Sequence, residues 1–364
     1  MKKLLAISLL ALALSGCSIK IDQPAMPTVT ASPPPSSQGT QIPITWGDLH
    51  LTGKLIYISH EDTADSTFMV IQMFDLETGR ISTLFKAPDQ AFIYALTLSP
   101  DHKQLIMSYA LPSDKDSFGL PVLYAMPLDA SQPPKLLFAP PSKDDQYFQP
   151  LWVSAGGKDY LYFSHARSKG PSKTGTQNLA IDLDRMALPD GPQEKIAESA
   201  FWPAVSADGS RLVYVSINPE DGTNQLISAN PDGTDAHKIA LTGDWVPHYI
   251  DAPAFLPDGK TLLFSAVSVS EKPAALTWLD QLFGVTVASA HNVPSDWWTV
   301  PVDGGAVTQL THLQTTALFA SILPDQHIIS YSGYGIFVMN PDGSGLRMLL
   351  NDVGGIPSSL NWIP

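Results

Sequence analysis

Cysteine and positive charge are both scarce in this chain. Its 364 residues include one cysteine, Cys17, so no internal disulfide can form. Lys and Arg total 21 against 35 Asp and Glu, which gives a net charge of −14. Because such a charge repels nucleic acid and anionic lipid surfaces, we expect neither as a partner. Stability has to come from a hydrophobic core, which a chain of this length can bury.

Signatures of catalysis and of cofactor binding are missing from the sequence. It contains no GxSxG nucleophile elbow, no P-loop and no dinucleotide-binding fingerprint. Two segments, NPEDG from Asn218 and NPDGTD from Asn230, resemble fragments of calcium loops, but tight turns explain both. We therefore predict no cofactor and no catalytic residue.

One phrase recurs five times along the chain: an apolar strand, a tight turn of Pro, Asp or Gly, and a second apolar strand ending near Ser. The equivalent turn positions are 50 to 67 residues apart, and they are Pro100, Ala155, Ala207, Pro257 and Pro324. This pattern predicts a repeated β-hairpin, and the spacing is typical of propellers or solenoids. A second hairpin with its own turn follows each copy, which gives four strands per unit.

A sixth copy is divided between the two chain ends. The C-terminal segment 358–364 matches the first strand of the phrase, and residues 52–59 match its turn and second strand. In a closed ring the last strand would complete the first unit and leave no open edge. The sequence therefore predicts an all-β, six-bladed propeller with four antiparallel strands per blade, closed by its C-terminal strand.

The repeated hairpin, followed by an Asp-Gly-Ser/Thr turn and a leucine-rich outer strand, resembles the TolB-type propeller repeat. The resemblance covers Trp46 to Pro364, with degraded turns at Ala155 and Pro324. The same repeat occurs in the propellers of prolyl-oligopeptidase-type enzymes. TolB itself has an α/β domain ahead of its propeller, and we do not expect such a domain here. Such repeats imply the architecture and leave the activity open, because one fold hosts unrelated functions.

The first 45 residues predict export and a tether. Residues 1–16 have the form of a signal peptide, with Lys2 and Lys3 before an apolar run that is too short to span a bilayer. The segment Leu14-Ser15-Gly16-Cys17 resembles the bacterial lipoprotein box, which implies lipidation of Cys17; the alternative is a coincidental cysteine near an ordinary cleavage site. Residues 17–45 are rich in Pro, Ser and Thr, which favours an extended tether ahead of a propeller over 46–364.

Loops of unequal length are expected on one side of the ring. The turns within each hairpin share one side, the turn face, while the connections between strands two and three and the links between blades share the other, the loop face. The loop-face connections lengthen after Ala110, after His165 and between Val267 and Asp296. Within the last insertion, the apolar residues of 276–283 recur at helical intervals, with Trp278 among them, which predicts a short helix. This helix either docks a partner or lipid, or caps the propeller itself.

Aromatic residues in the links between blades are candidates for a ligand platform in the central funnel, with packing between blades as the alternative. The candidate ligand-binding residues are Tyr147, Trp202, His248, Tyr249, Asp251, Trp278 and Phe283. Five histidines are also expected toward the loop face, without the short spacing of a metal motif. They are His60, His165, His248, His291 and His312.

Three functions stay open at this point. The favoured one is a monomeric, lipid-anchored binding module of the cell envelope, which recognises a protein, peptide or glycan on its loop face. It would lie on the periplasmic side of an outer membrane, or on the cell surface where no outer membrane exists. The alternative is a metal-dependent carbohydrate lyase or hydrolase that uses the funnel histidines and acids such as Asp251. The third is a structural subunit of an envelope complex, docked through residues 276–283.

Overall fold

Antiparallel strands are the main secondary structure of the described chain. The computed structural model describes residues 39–112, 119–171, 177–218, 223–243, 247, 249–267, 294–351 and 359–364. The first three blades contain β1 (Thr40–Gln41), a 3-10 turn (Gly47–Leu49), β2 (Lys54–Asp62), β3 (Thr67–Asp75), β4 (Arg80–Lys86), β5 (Phe92–Leu98), β6 (Gln104–Ala110), β7 (Val122–Pro127), β8 (Lys135–Leu136), β9 (Gln146–Ala155), β10 (Lys158–Pro171), β11 (Gln177–Ala187) and β12 (Gln193–Glu198).

Three further blades and the closing strand follow. They contain β13 (Ala200–Val205), β14 (Leu212–Ile217), β15 (Asn224–Ala229), β16 (His237–Lys238), β17 (Leu241–Thr242), β18 (Ile250–Phe255), β19 (Thr261–Val267), β20 (Ser295–Pro301), β21 (Gly305–Ala306), β22 (Thr308–Gln309), β23 (Phe319–Ile322), β24 (Ile328–Ser332), β25 (Gly335–Met339), β26 (Arg347–Asn351) and β27 (Leu360–Ile363). No helix in these ranges is long and apolar enough to cross a bilayer.

The sheets confirm the six-bladed propeller and its closure. Blades 2 to 6 begin with β5, β9, β13, β18 and β23 as their innermost strands. Blade 1 takes its innermost strand from the other end of the chain, because β27 pairs antiparallel with β2 and sets Leu55 opposite Trp362. A short parallel pair, β17 with β21, links the outer parts of blades 4 and 5.

Six larger hydrophobic clusters fill the six interfaces between neighbouring blades. In β2, Leu55 and Tyr57 face blade 6, whereas Ile56 and Ile58 face blade 2. Since both faces of a blade are buried, its inner strands are apolar at successive positions instead of every second one. This explains the uninterrupted apolar runs in the repeated phrase.

The turns explain the Asp-Gly signature. In blade 4, the Asp208 carboxylate accepts hydrogen bonds from the backbone N–H of Ser210 and the hydroxyl of Ser206, at 3.0 and 2.6 Å. Gly209 has φ of +70°, and a Cβ there would lie 2.7 Å from the Cβ of Ala155 in the neighbouring turn. The turn therefore needs glycine for its conformation and for its close approach to blade 3.

A strap of residues 39–51 crosses the outer side of blade 1 toward blade 6. Its β1 pairs with β4 as a fifth strand, so contact with the blade begins within the segment predicted as tether. Trp46 is fully buried, stacks edge-on against Phe74 at 5.6 Å and donates its indole N–H to Leu76 O at 2.8 Å. Asp48 forms an ion pair with Arg347 of blade 6. The strap thus covers the seam where the ring closes.

The connection after His165 is a longer hairpin than the sequence predicts. Strand β10 continues to Pro171 and β11 begins at Gln177, with Ala166 paired to Ile181 and Arg167 to Ala180. Much of the expected loop is therefore strand. Most of the insertion between Val267 and Asp296, with its predicted helix, lies outside the described residues.

Candidate functional site

The inner strands of four consecutive blades carry one extra residue near their loop-face ends. Register shifts interrupt the pairing of β5, β9, β13 and β18 with their second strands. Each shift sets more residues on the inner strand than on its partner, as in a β-bulge. Because the inner strands enter from the links between blades, these bulges ring the funnel on the loop face.

Three of the bulges hold a residue in the left-handed conformation directly before a proline. These residues are Gln149, Trp202 and Ala252, with φ of +49°, +54° and +45°. Left-handed backbone is unfavourable for residues other than glycine, and each such conformation costs on the order of 1–3 kcal/mol. Strain repeated in three adjacent blades marks this ring as a candidate functional site.

Gln149 links two of these bulges. Its side-chain Oε1 accepts hydrogen bonds from the hydroxyl of Ser164 at 2.6 Å and from the backbone N–H of Trp202 at 3.3 Å. The first bond holds the amide to its own blade, and the second holds the backbone of the next blade. Gln149 therefore fixes the position from which Trp202 enters the funnel.

Trp202 reaches across the funnel. Its ring lies 5.5 Å from the ring of Phe319, with an angle of 56° between the ring planes. Trp202 belongs to blade 4 and Phe319 to blade 6, so the contact passes over the inner strand of blade 5. Trp202 is half-buried, so the residue keeps some exposure to solvent.

A second aromatic group lies on blades 2 and 3. Tyr94 occupies the bulge of β5, with its ring 4.6 Å from Phe92 and 5.6 Å from Phe148. Burial raises the pKa of Tyr94 to about 12, so its hydroxyl stays protonated at physiological pH. Aromatic rings thus line the loop-face ends of inner strands from blades 2, 3, 4 and 6.

The inner wall is almost uncharged. Across the described strands β5, β9, β13, β18, β23 and β27 there is no Lys or Arg, and the one carboxylate is Asp251. Asp251 is fully buried, on β18 opposite Ser265. Apart from the buried Asp251, these strands therefore carry only uncharged side chains.

The predicted binding residues are distributed unevenly. Trp202 lies in the funnel ring, and Tyr249 is half-buried against Val267 at the start of blade 5. Tyr147 is fully buried between blades 2 and 3, as the alternative of packing between blades predicts. His248, Trp278 and Phe283 lie outside the described residues, so their place in a site stays a prediction.

Sequence reasoning missed Gln149. The repeat did contain a signal, because Gln149, Trp202 and Ala252 occupy the same position, directly before Pro150, Pro203 and Pro253. The signal is the shared position itself: in each copy an aromatic or acidic residue comes before it and the first proline of the phrase comes after it.

His165 lies in a buried polar cluster of blade 3. Its Nδ1 lies 2.6 Å from Asp184 Oδ2, and its Nε2 lies 3.4 Å from Asp145 Oδ1. Gln193 donates to Asp184 at 2.6 Å, and Arg167 pairs with a further buried carboxylate, that of Asp182. Asp184 thus holds the ring through Nδ1, whereas Nε2 lies near Asp145 without a hydrogen bond to any described residue.

The other predicted histidines do not join this cluster. His60 pairs with Asp62 in blade 1 at 3.1 Å, and His312 lies 3.0 Å from the amide of Gln309 after blade 5. His248 and His291 lie outside the described residues. Within the described ranges, no three His, Cys, Asp or Glu side chains converge as a metal ion would require.

Comparison with known proteins supports the fold. No protein-family model matches the chain. Dipeptidyl-peptidase 5 of Porphyromonas endodontalis is 25% identical over 217 residues, which cover 57% of this chain and 30% of that protein. The match thus spans less than a third of the curated relative's length.

Solved structures share the architecture. TolB from Acinetobacter baumannii is similar with a TM-score of 0.56 and 15% identity, over 86% of this chain and 67% of that one. Hydrazine synthase of Kuenenia stuttgartiensis has a TM-score of 0.61 and 14% identity, over 86% of this chain and 47% of that one. At such identities the likeness establishes a TolB-like propeller fold and says nothing of activity.

Proposed function

We propose that this protein is a binding module of the cell envelope, held to a membrane through lipidated Cys17, and that it takes its ligand into the funnel on the loop face. The observation that carries the proposal is the ring of strained bulges, with the half-buried Trp202 set against Phe319. A rigid scaffold that fixes aromatic side chains in a concave, nearly uncharged wall suits ligand binding.

The ligand contact is tested by capture from envelope extracts with the full chain and two variants. Trp202→Ala removes the ring from the funnel. Trp152→Ala is the matched control, since Trp152 is a half-buried tryptophan on β9 toward the turn face, bonded to Asp159 at 3.0 Å. We expect Trp202→Ala to lose at least tenfold in capture and Trp152→Ala to retain it. Equal capture by both variants would remove the funnel from the proposal.

Anchoring is tested separately. Export followed by lipidation predicts that the full chain sediments with membranes and that Cys17→Ser is released into the soluble fraction. Mass spectrometry of the mature N-terminus should find acyl groups on Cys17. An unmodified Cys17, or a Cys17→Ser protein that still sediments, would contradict the anchor while leaving the funnel site untouched.

The envelope enzyme stays an alternative. It predicts a stoichiometric transition metal in the purified full chain, which elemental analysis measures directly. A metal bound at one ion per chain would overturn the reading as a binding protein alone.

A further inference from the structure

The amide of Gln149 has a donor to spare. A backbone N–H can only donate, so the Gln149 atom that faces the N–H of Trp202 is the oxygen, and the same oxygen serves Ser164. The NH₂ group then lies on the opposite side of the amide, where it makes no hydrogen bond to any residue in the described ranges. Gln149 is only half-buried, which leaves that group two donors for a ligand.

The inner wall disfavours an anionic ligand. The described inner strands offer no Lys or Arg to neutralise a carboxylate, phosphate or sulfate, and the chain as a whole carries a net charge of −14. An anion entering the funnel would lose hydration without gaining a cation. A cation gains little either, because the one carboxylate on these strands, Asp251, is fully buried, so the ligand that fits is uncharged.

The inner wall also disfavours an added peptide strand. A peptide that extends a sheet needs a row of free N–H and C=O groups along the edge. Pro150, Pro203 and Pro253 have no backbone N–H to donate, and the bulges at these positions break the regular spacing of the remaining groups on three adjacent inner strands. Recognition here has to use side chains.

We infer that the funnel ligand is a neutral glycan and that Gln149 is its hydrogen-bonding residue. This rests on the proposed function, since it names the ligand class of the same funnel. The amide nitrogen of Gln149 donates to a hydroxyl or ring oxygen, and the exposed part of Trp202 packs on the apolar face of a sugar ring. Gln149 has a second role, because its oxygen holds the backbone from which Trp202 projects.

The test is calorimetry on the full chain with tetrasaccharides of equal length. The neutral probes are cellotetraose, maltotetraose and chitotetraose, and the anionic probe is tetragalacturonate. We expect at least one neutral probe to bind at least tenfold more tightly than tetragalacturonate. No binding by any neutral probe, or tighter binding of the anionic one, overturns the inference, and this comparison needs no variant.

The role of Gln149 is tested with Gln149→Glu, which keeps the acceptor for Ser164 and Trp202 but removes the donor. We expect a loss of at least tenfold for the neutral probe that binds, with an unchanged melting temperature. Gln326→Glu is the matched control, since Gln326 is an exposed glutamine with φ of +75° on the turn face. Unchanged affinity in Gln149→Glu would contradict its role.

The two levels of the proposal fail differently. Should Trp202→Ala lose capture of envelope material while every neutral probe fails to bind, the funnel site stands and the glycan inference falls. Should Trp202→Ala retain full capture and the neutral probes also fail, both fall together.

Discussion

The hydroxyl of Tyr331 in blade 6 donates a hydrogen bond of 2.9 Å to the carbonyl oxygen of Ile58 in blade 1, across 273 positions of sequence. The same ring stacks edge-on against Tyr57 at 5.7 Å. Burial raises the pKa of Tyr331, so the hydroxyl remains a donor throughout the physiological range. Both contacts of Tyr331 therefore join blade 6 to blade 1 of the propeller.

Tyr331→Phe tests the closing seam. Removing the hydroxyl deletes one buried hydrogen bond and leaves the ring packing intact, so we expect a loss of about 1–2 kcal/mol in the free energy of unfolding. Urea denaturation measures it. Tyr334→Phe is the control, because Tyr334 is 58% exposed. Equal stabilities for the two variants would mean that the Tyr331 bond adds nothing to closure.

Trp46→Ala tests the strap. Trp46 is buried to 1% exposure among residues of blades 1 and 6, so truncation opens a cavity at the seam. We expect a loss of about 3–5 kcal/mol, as for other large-to-small changes in a core. Ile44→Ala, at a 43% exposed position in the same segment, should change stability little. If Trp46→Ala changed the free energy of unfolding only slightly, the closed propeller would be stable without the strap.

His165→Ala tests the buried cluster of blade 3. The change removes a hydrogen-bond partner of the buried Asp184 carboxylate and leaves a cavity beside Asp145, so we expect a loss of about 1–3 kcal/mol in the free energy of unfolding. The exposed His237 provides the control, as His237→Ala. If His165→Ala left the free energy of unfolding unchanged, Gln193 and Arg167 alone would be sufficient to stabilise the buried carboxylates.

Acid should weaken the propeller through its turns. Hydrogen bonds from Ser206 and from Ser210 lower the pKa of Asp208 to about 2, below the ordinary value of 3.8. Since the folded pKa lies below the unfolded one, the stabilisation is complete above about pH 4 and is lost as pH falls toward 2. Turn carboxylates with the same arrangement, among them Asp232 and Asp342, also have lowered pKa values.

The measurement is the pH dependence of the urea midpoint between pH 5 and 2, with NMR titration of the carboxyl groups. Asp208→Asn should show a shallower fall over this window than the unaltered protein. Asp190→Asn, at an exposed position, serves as the control. An Asp208 carboxyl that titrated near 3.8 in the folded protein would contradict the account.

The blades and their closure could be predicted because the signals that specify them are local. Apolar strand pairs and Asp-Gly turns recur at fixed intervals, and residues 358–364 matched the missing strand of the first blade. The sequence after His165 predicts a loop because Gly170, Pro171 and several polar residues are typical of turns, whereas the ladder between β10 and β11 continues beyond His165.

The funnel ring could be predicted only in part. Trp202 was identified as an aromatic residue in a link between blades, but its contact with Phe319 depends on the curvature of the whole ring. The bulge at Gln149 depends on how β9 pairs with β10, which a single strand's sequence does not fix. The cluster around His165 joins segments 145, 165 and 184, and nothing in their local patterns indicates that they meet.

The strap has a mechanical consequence. Tension applied to the chain ahead of Gly39 meets β1 first, where two residues pair with the outer edge of blade 1, and then the buried indole of Trp46. The closing strand β27 lies on the opposite, innermost edge of the same sheet. A pull from that direction would therefore peel the strap before it loaded the strand pair that holds the circle shut.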